Sequence, residues 1–314
     1  MENYTVQQTF QVSSPARLYI KNIRGSVFVR AGEAQEIVIQ AVMDPNSGRA
    51  DNTHIELEQD AQGVVRAVTR IDEASSPFGV GKVPCKVSYT ITAPAACDVE
   101  IRSIASSVIV EGLQGSFQLN QVSGSTALTD LEGTFAIDSV SGSVTGLRLH
   151  GTFAKLKTVS GDVQLGDSRV VNLFARTVSG DIMIESPLAD GPYSLETVSG
   201  DARLIVPLET HCEVISRSFS GKTYIGLSST YLKQSGNSRQ IVVQDGGPQV
   251  SFRSMSGSLS LLTAEQIEHP APHQPEIPPA PPDEPDRMEI LERIGRGELS
   301  VDEGIHLING VDSH

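Results

Sequence analysis

Apolar and polar residues alternate along much of this chain in short stretches, which is the periodicity of β-strands. In the first 100 residues such stretches include residues 16–20, 26–29, 36–39, 64–68 and 86–91. Beyond residue 101 the alternation itself recurs, with two short stretches in every 18 to 21 residues. The pattern therefore predicts an all-β chain whose second part is built from repeated units.

A four-residue motif, V-S-G-[SD], marks each repeat. Full copies stand at residues 122–125, 140–143, 159–162, 178–181 and 198–201, and divergent copies at residues 219–222 and 255–258. The motif glycines are 18, 19, 19, 20, 21 and 36 residues apart, so we expect two coils in the last interval, with Ser238-Arg239 in place of Ser-Gly. Coils of near-constant length predict a β-solenoid, in which neighbouring coils stack about 4.8 Å apart.

Alignment on the motif glycine predicts which side chains fill the interior. Positions −7, −5, +2 and +4 relative to that glycine are apolar in most copies. Positions −4 and −3 are both polar, which requires a corner, because a regular strand cannot turn two successive side chains outward. We therefore predict that Val159, Val178 and Val198 at position −2 form a buried vertical stack, and that the glycine permits a tight bend. An antiparallel sandwich is the alternative architecture.

The sequence divides into four segments. Residues 1–100 are predicted to form a β-rich layer that caps the first edge of the solenoid, and residues 101–262 the solenoid itself. Residues 263–285 are rich in proline, which is typical of a semi-rigid linker. Residues 286–310 have the pattern of an α-helical hairpin, with a capping box at residues 300–303.

The apolar residues of this hairpin are the predicted interaction element. About 25 residues are too few to hold a helical hairpin by themselves in water. We therefore expect Leu291, Ile294, Ile305 and Ile308 to contact a protein partner or a second copy of the chain.

Two stretches carry a resemblance to a known family. Residues 87–94 read V-S-Y-T-I-T-A-P, and residues 158–163 read T-V-S-G-D-V. Over about residues 15–262 the chain resembles a bacterial family of "putative adhesins", a domain of unknown function. Residues 290–303 look like a short helical module that often accompanies such domains and is thought to serve oligomerisation or docking. The resemblance implies a β-solenoid without catalytic residues and, in some members, a link to cell-envelope stress.

Candidate chemistry is sparse. Asp162, Asp181 and Asp201 occupy the same position in three successive coils, where stacked carboxylates could attract a cation such as Ca²⁺. Such an aspartate more often supports its own turn, so we expect no metal site and treat the three only as weak candidates. The motif serines lack a recurring base, and no phosphate-binding loop is found. We expect no catalytic residue and no cofactor.

Charge and composition narrow the partners. The formal net charge is −14, and residues 262–314 hold twelve of the acidic residues against three arginines. Such a chain repels nucleic-acid phosphates, so we expect no nucleic-acid partner. Three cysteines without metal-ligand spacing are typical of a reducing compartment. The sequence shows neither a signal peptide nor a transmembrane run, which favours a cytoplasmic location, with envelope association only through a partner.

These observations favour a non-enzymatic structural or interaction protein, an adhesin-like scaffold tied to bacterial cell-envelope stress or organisation. One alternative is a cytoplasmic polymer-forming solenoid similar to the bactofilins. The other is a carbohydrate-active solenoid enzyme, with paired carboxylates such as Asp162 and Asp181.

Overall fold

The first part of the chain forms long strands. The computed structural model describes residues 4–33, 35–71, 83–189 and 191–268. The N-terminal strands are β1 (Tyr4–Gln11), β2 (Ala16–Gly32), β3 (Glu36–Asp44), β4 (Thr53–Gln59), β5 (Val64–Ile71), β6 (Lys86–Pro94) and β7 (Cys97–Glu111). A short 3-10 helix lies at Ala50–Asn52, between β3 and β4. β2 pairs in parallel with β7 along most of its length, and on its other side with β5 and β6. β1, β3 and β4 add antiparallel pairings at this end.

The motif region forms regular coils of two strands each, and the first strand is the longer one in every coil except that of β16 and β17. These strands are β8 (Gln114–Ser123), β9 (Thr126–Thr129), β10 (Glu132–Ser141), β11 (Val144–Leu147), β12 (His150–Lys157), β13 (Val163–Gly166), β14 (Arg169–Arg176), β15 (Ile182–Glu185), β16 (Tyr193–Glu196) and β17 (Ala202–Ile205). Each strand pairs in parallel with its equivalent one coil away, for example β10 with β8 and β12. Equivalent repeat positions therefore lie in columns along the stack.

The C-terminal part departs from this order. It contains β18 (Cys212–Ser218), β19 (Thr223–Ile225), β20 (Ser229–Ser235), β21 (Ser238–Val243), β22 (Gln249–Ser254), β23 (Leu259–Leu262) and the helix α1 (Ala264–Glu268). β22 lies between β16 and β18, and β23 lies between β17 and β19. In the stack, the coil of β22 and β23 therefore lies before the coil of β18 and β19, although it comes later in the sequence.

The interval of 36 residues therefore does not hold two coils, and that expectation is wrong. β20 and β21 form an antiparallel hairpin, and β21 covers the outer edge of β18. Ser238 and Arg239 pair across this hairpin instead of forming a corner. Because β18 already uses one edge to bind β22, the hairpin satisfies backbone groups that would otherwise be exposed at the end of the stack.

The interior is filled by the predicted strand columns. Phe117 and Phe135 at position −7 stack with ring centroids 5.5 Å apart. Positions −7 and −5 are buried in all seven copies, and positions +2 and +4 in all except the coil of β19. Burial of continuous columns gives stability only when neighbouring coils cover each other.

The predicted all-β solenoid with coils of 18 to 21 residues is therefore confirmed. The predicted boundary at residue 100 falls within β7. The Pro-rich linker begins with α1, and the rest of it and the hairpin of residues 286–310 lie outside the described residues. Within the described part of the chain, no helix has the length and apolar character needed to cross a membrane.

Candidate interaction surface

The motif glycine stands at a corner where the backbones of neighbouring coils approach closely. Gly142 and Gly161 both have φ of 149°, a value that favours glycine. A Cβ on Gly142 would lie 1.8 Å from the carbonyl oxygen of Gly124 in the preceding coil. The glycine therefore allows both the bend and the close approach, as the sequence predicted.

A column of buried polar side chains lines the inside of the corner. Its members occupy position −3 and are Gln121, Ser139, Thr158, Thr177, Thr197, Ser218 and Ser254, of which all but Ser254 are buried. The hydroxyl of Thr177 donates to the carbonyl oxygen of Gly161 at 3.1 Å, and that of Thr158 donates to Gly142 at 3.2 Å. At these two corners a glycine carbonyl points into the interior, and the hydroxyl of the next coil satisfies it. The hydroxyls of Ser139, Thr197 and Ser254 have no hydrogen-bond partner among the described residues.

The valine at position −2 is not in the core, and the predicted inward stack of Val159, Val178 and Val198 is wrong. Val159 is 48% exposed, Val198 is 38% exposed, and Val178 is partly exposed. Strand alternation continues through position −3 into the corner, so position −2 faces outward. The two successive outward positions are −2 and −1, two residues later than the sequence pattern predicted, because the small polar residues at position −3 are buried.

The three aspartates after the glycine serve the backbone of the next coil. Oδ1 of Asp162 accepts the N–H of Asp181 at 2.9 Å, and Oδ1 of Asp181 accepts the N–H of Asp201 at 2.8 Å. Oδ1 of Asp201 accepts the N–H of Ser258 at 2.8 Å. Among the described residues, no group of three His, Cys, Asp or Glu side chains is placed to hold a metal ion.

Position −4 forms a charged outer column before the corner. Because β22 is inserted next to β16, Glu196 lies between Arg176 and Arg253, with N to O distances of 3.9 and 3.7 Å. Lys157 places its Nζ 5.8 Å from the ring centroid of Phe174. These contacts lie at the surface, where an ion pair contributes little to stability.

A shallow depression lies on the same outer face near the N-terminal end. The ring of Tyr19 lies beneath two guanidinium groups, at 5.1 Å from Arg66 and 5.8 Å from Arg102. Arg66 is also paired with Asp60 at 3.1 Å, and Arg102 with Glu100 at 2.9 Å. The hydrogen bonds from the backbone of Val64 and from Arg66 hold the pKa of Asp60 below its usual value. The cations of this depression are therefore largely compensated by partners of the chain itself.

All three cysteines are free and buried. Burial raises the pKa of the Cys97 thiol to about 12 and that of Cys212 to about 11. Thiols with such pKa values are almost wholly protonated at neutral pH and are poor nucleophiles. They act as small apolar side chains of the core, not as reactive groups.

The site residues expected from the sequence fall into two groups, those that the structure describes and those that it does not. Asp162, Asp181 and Asp201 do lie in one column, while Leu291, Ile294, Ile305 and Ile308 lie outside the described residues. The exposed valine column was missed as a surface feature. The signal that could have revealed it was the recurring Thr or Ser at position −3, since a hydroxyl in every coil indicates a repeated backbone partner.

Solved structures resemble this chain at low identity. A "putative adhesin" from Bacteroides fragilis shares 12% identity over 83% of this chain and 97% of that chain, with a TM-score of 0.48. A "putative lipid binding protein" from Parabacteroides distasonis shares 12% identity over 82% and 96%, with a TM-score of 0.47. A "putative cell adhesion protein" from Clostridium sporogenes shares 10% identity over 83% and 100%, with a TM-score of 0.25.

The sequence of the strand-forming part of the chain gives the family assignment. None of the curated proteins matches the chain. The family model described as Toastrack DUF4097 matches residues 16–262, which include every strand from β2 to β23. On this match the chain belongs to the Toastrack DUF4097 family.

Proposed function

We propose that this protein is a non-enzymatic, adhesin-like scaffold whose outer columns and C-terminal segment bind other proteins. The observation that carries the proposal is the use of the motif residues: threonine, glycine and aspartate all serve contacts between coils. The motif side chains therefore hold neighbouring coils together. The two named adhesin-like structures agree with such a role.

A role in bacterial cell-envelope stress or organisation is part of the proposal. The support is the resemblance of about residues 15–262 to a family in which some members have a link to cell-envelope stress. The C-terminal residues Leu291, Ile294, Ile305 and Ile308 are the proposed contacts with a protein partner or with a second copy. The acidic residues around them favour a partner with a basic rim.

The test is removal of the C-terminal segment. The truncation belongs after Glu268, because Gln266 of α1 donates to the carbonyl oxygen of Gly226 at 2.8 Å and accepts from the N–H of Thr263 at 3.0 Å. We expect the truncated protein to lose a bound partner or to fall in mass by light scattering. A double variant, Leu291→Asp with Ile305→Asp, should reproduce the loss, whereas Asn309→Asp adds charge without removing an apolar group and should not. Unchanged mass and unchanged partners in the truncated protein would contradict this role.

Two further outcomes separate the alternatives. Long filaments of the truncated protein in electron micrographs would favour the polymer-forming solenoid. Turnover of a glycan that is lost in Asp162→Asn or Asp181→Asn would favour the carbohydrate-active enzyme and overturn the non-enzymatic assignment.

A further inference from the structure

A column of exposed apolar side chains runs along one corner of the stack. We name it the apolar ladder. In spatial order its members are Ile104, Val122, Val140, Val159, Val178, Val198, Met255 and Phe219. Phe219 is 77% exposed, and apart from Val178, which is partly exposed, the rest lie between 38% and 64%.

The register between coils makes this column continuous. Serines on the C-terminal side of the ladder pair coil to coil, including Ser141 with Ser160, Ser179 with Ser199, and Ser199 with Ser256. Eight members separated by about 4.8 Å span about 34 Å. Single exposed valines are ordinary on a protein surface, but a contiguous apolar stripe of this length marks an interaction surface.

Charged columns of opposite sign flank the ladder. The column before it, at position −4, contains five cations and two anions, which are Arg102, Asp138, Lys157, Arg176, Glu196, Arg253 and Arg217. The column after it, at position +1, contains three anions and one cation, which are Asp162, Asp181, Asp201 and Lys222. The first column therefore carries a net charge of +3 and the second a net charge of −2.

The net charges of the two columns are complementary to each other. A two-fold axis parallel to the stack brings the ladders of two copies face to face, side by side and in the same direction. It also places the cationic column of one copy against the anionic column of the other at equal height. Lys157 and Arg176 then face the aspartates of their own coils, Asp162 and Asp181, in the second copy. A two-fold axis across the stack would instead bring cationic columns together.

We propose that the apolar ladder is the interface of a parallel two-fold dimer of this protein. An interface of ordinary size buries about 800 Å² per partner, so a strip about 34 Å long must be about 24 Å wide. The ladder alone is narrower than this, so both charged columns are part of the interface. Contact is weakest at two coils, because Glu196 of one copy lies opposite Asp201 of the other and Arg217 lies opposite Lys222, so each of these pairs has the same charge.

Cysteine cross-linking tests the arrangement directly. The native cysteines are buried, so an added oxidant acts on introduced thiols. In the full-length chain, Val122→Cys and Val198→Cys should each give a homodimeric disulfide, because the parallel axis places equal residues opposite each other. The control is Leu147→Cys, which is 39% exposed on the shorter strand of the coil and should not cross-link. A disulfide between Val122→Cys and Val198→Cys in mixed samples, without homodimers, would show an antiparallel dimer and overturn the proposal.

Mass and affinity give the second test. We expect Val159→Asp to weaken the dimer by at least about tenfold in sedimentation experiments, while Leu147→Asp leaves it unchanged. Arg176→Glu should weaken it too, and higher salt should weaken the unmodified dimer. These variants leave residues 286–310 intact, so the result is separable from association through the C-terminal segment.

Three results would overturn the proposal. The first is a protein that stays monomeric up to about 100 µM, the weak end of specific association. The second is a dimer that Val159→Asp does not weaken. The third is a monomer that binds vesicles of phosphatidylcholine and phosphatidylglycerol and loses that binding in Val159→Asp, which would assign the ladder to a lipid surface.

Discussion

Position −5 of each repeat lies within a strand, and position −3 lies two residues later at the start of the corner. Both face the interior, yet the first holds Leu, Ile, Phe or Ala in six of seven copies and the second holds only polar residues. Position −2, which is outermost at the corner, holds the valine. Hydrophobicity therefore indicates burial correctly along the strands and incorrectly at the corner.

The backbone explains this difference. Along a strand, the N–H and C=O groups pair with the neighbouring coils, and the interior needs only apolar volume. At the corner the chain bends, and the glycine carbonyl receives a hydroxyl from the next coil, as in the bond from Thr177 to Gly161. A buried carbonyl left without a donor costs more than a buried methyl group gains. The corner therefore selects a hydroxyl on its inner side.

The largest expected effect comes from comparing a carboxylate introduced at a buried strand position with one introduced at an exposed corner position. Val163→Asp at position +2 buries a carboxylate in the core and should prevent folding, because Val163 is fully buried. Val159→Asp four residues earlier should leave a folded protein whose melting temperature is nearly unchanged when both proteins are compared as monomers at low concentration. Circular dichroism and thermal denaturation measure both. Equal loss of structure in the two variants would contradict the outward position of the ladder.

The second effect concerns the corner backbone. Gly142→Ala forces a Cβ against the carbonyl oxygen of Gly124 and places alanine at a φ of 149°. We expect it to lower the free energy of unfolding by about 2 to 5 kcal/mol. Gly166→Ala is the matched control, because its nearest neighbour is a flexible Leu147 methyl at 3.3 Å, and it should cost about 1 kcal/mol or less. Urea titration compares the two, and equal costs would mean that the corner is not constrained.

The sequence predicted the solenoid because the strand columns are apolar at a fixed spacing from the glycine. It could not predict the burial of position −3, because threonine and serine occur on surfaces as readily as in satisfied interior positions. It also could not predict that β22 lies before β18 in the stack, since the repeat of Met255 to Ser258 fits either neighbour. For the interaction surface, the aspartate column was predicted as a column, but its use by the backbone depends on a bend visible only in three dimensions.

The third effect tests how completely the strand interior excludes water from the buried thiols. Burial raises the pKa of Cys97 to about 12 and that of Cys212 to about 11, from an ordinary value of 9.0. The folded state holds these protons more tightly than the unfolded state, so their contribution to stability is complete below pH 9 and is lost as pH rises through 11 and 12. We expect a falling melting temperature over this range. The thiols should react with a thiol reagent at pH 8 only after denaturation, and rapid reaction of the native protein would contradict the raised pKa values.

The smallest effect isolates the corner hydroxyl. Thr177 is fully buried and donates to the carbonyl oxygen of Gly161 at 3.1 Å. Thr177→Val keeps the shape and removes the donor, so we expect the free energy of unfolding to fall by about 1 to 2 kcal/mol, the cost of leaving a buried carbonyl unsatisfied. Thr197 occupies the same position in the next coil, yet its hydroxyl has no hydrogen-bond partner among the described residues. Thr197→Val should therefore be neutral or slightly stabilising.

The pair of variants compares one residue type at one repeat position in adjacent coils, so differences in size and strand propensity cancel. The measurement is the difference between their urea midpoints at unchanged slope. A clear loss for Thr177→Val alone would show that the hydrogen bond to the glycine carbonyl explains the polar column. Equal losses in both variants would instead mean that the column is selected for the shape of threonine at the bend, and that the buried glycine carbonyl does not determine which residues occupy position −3.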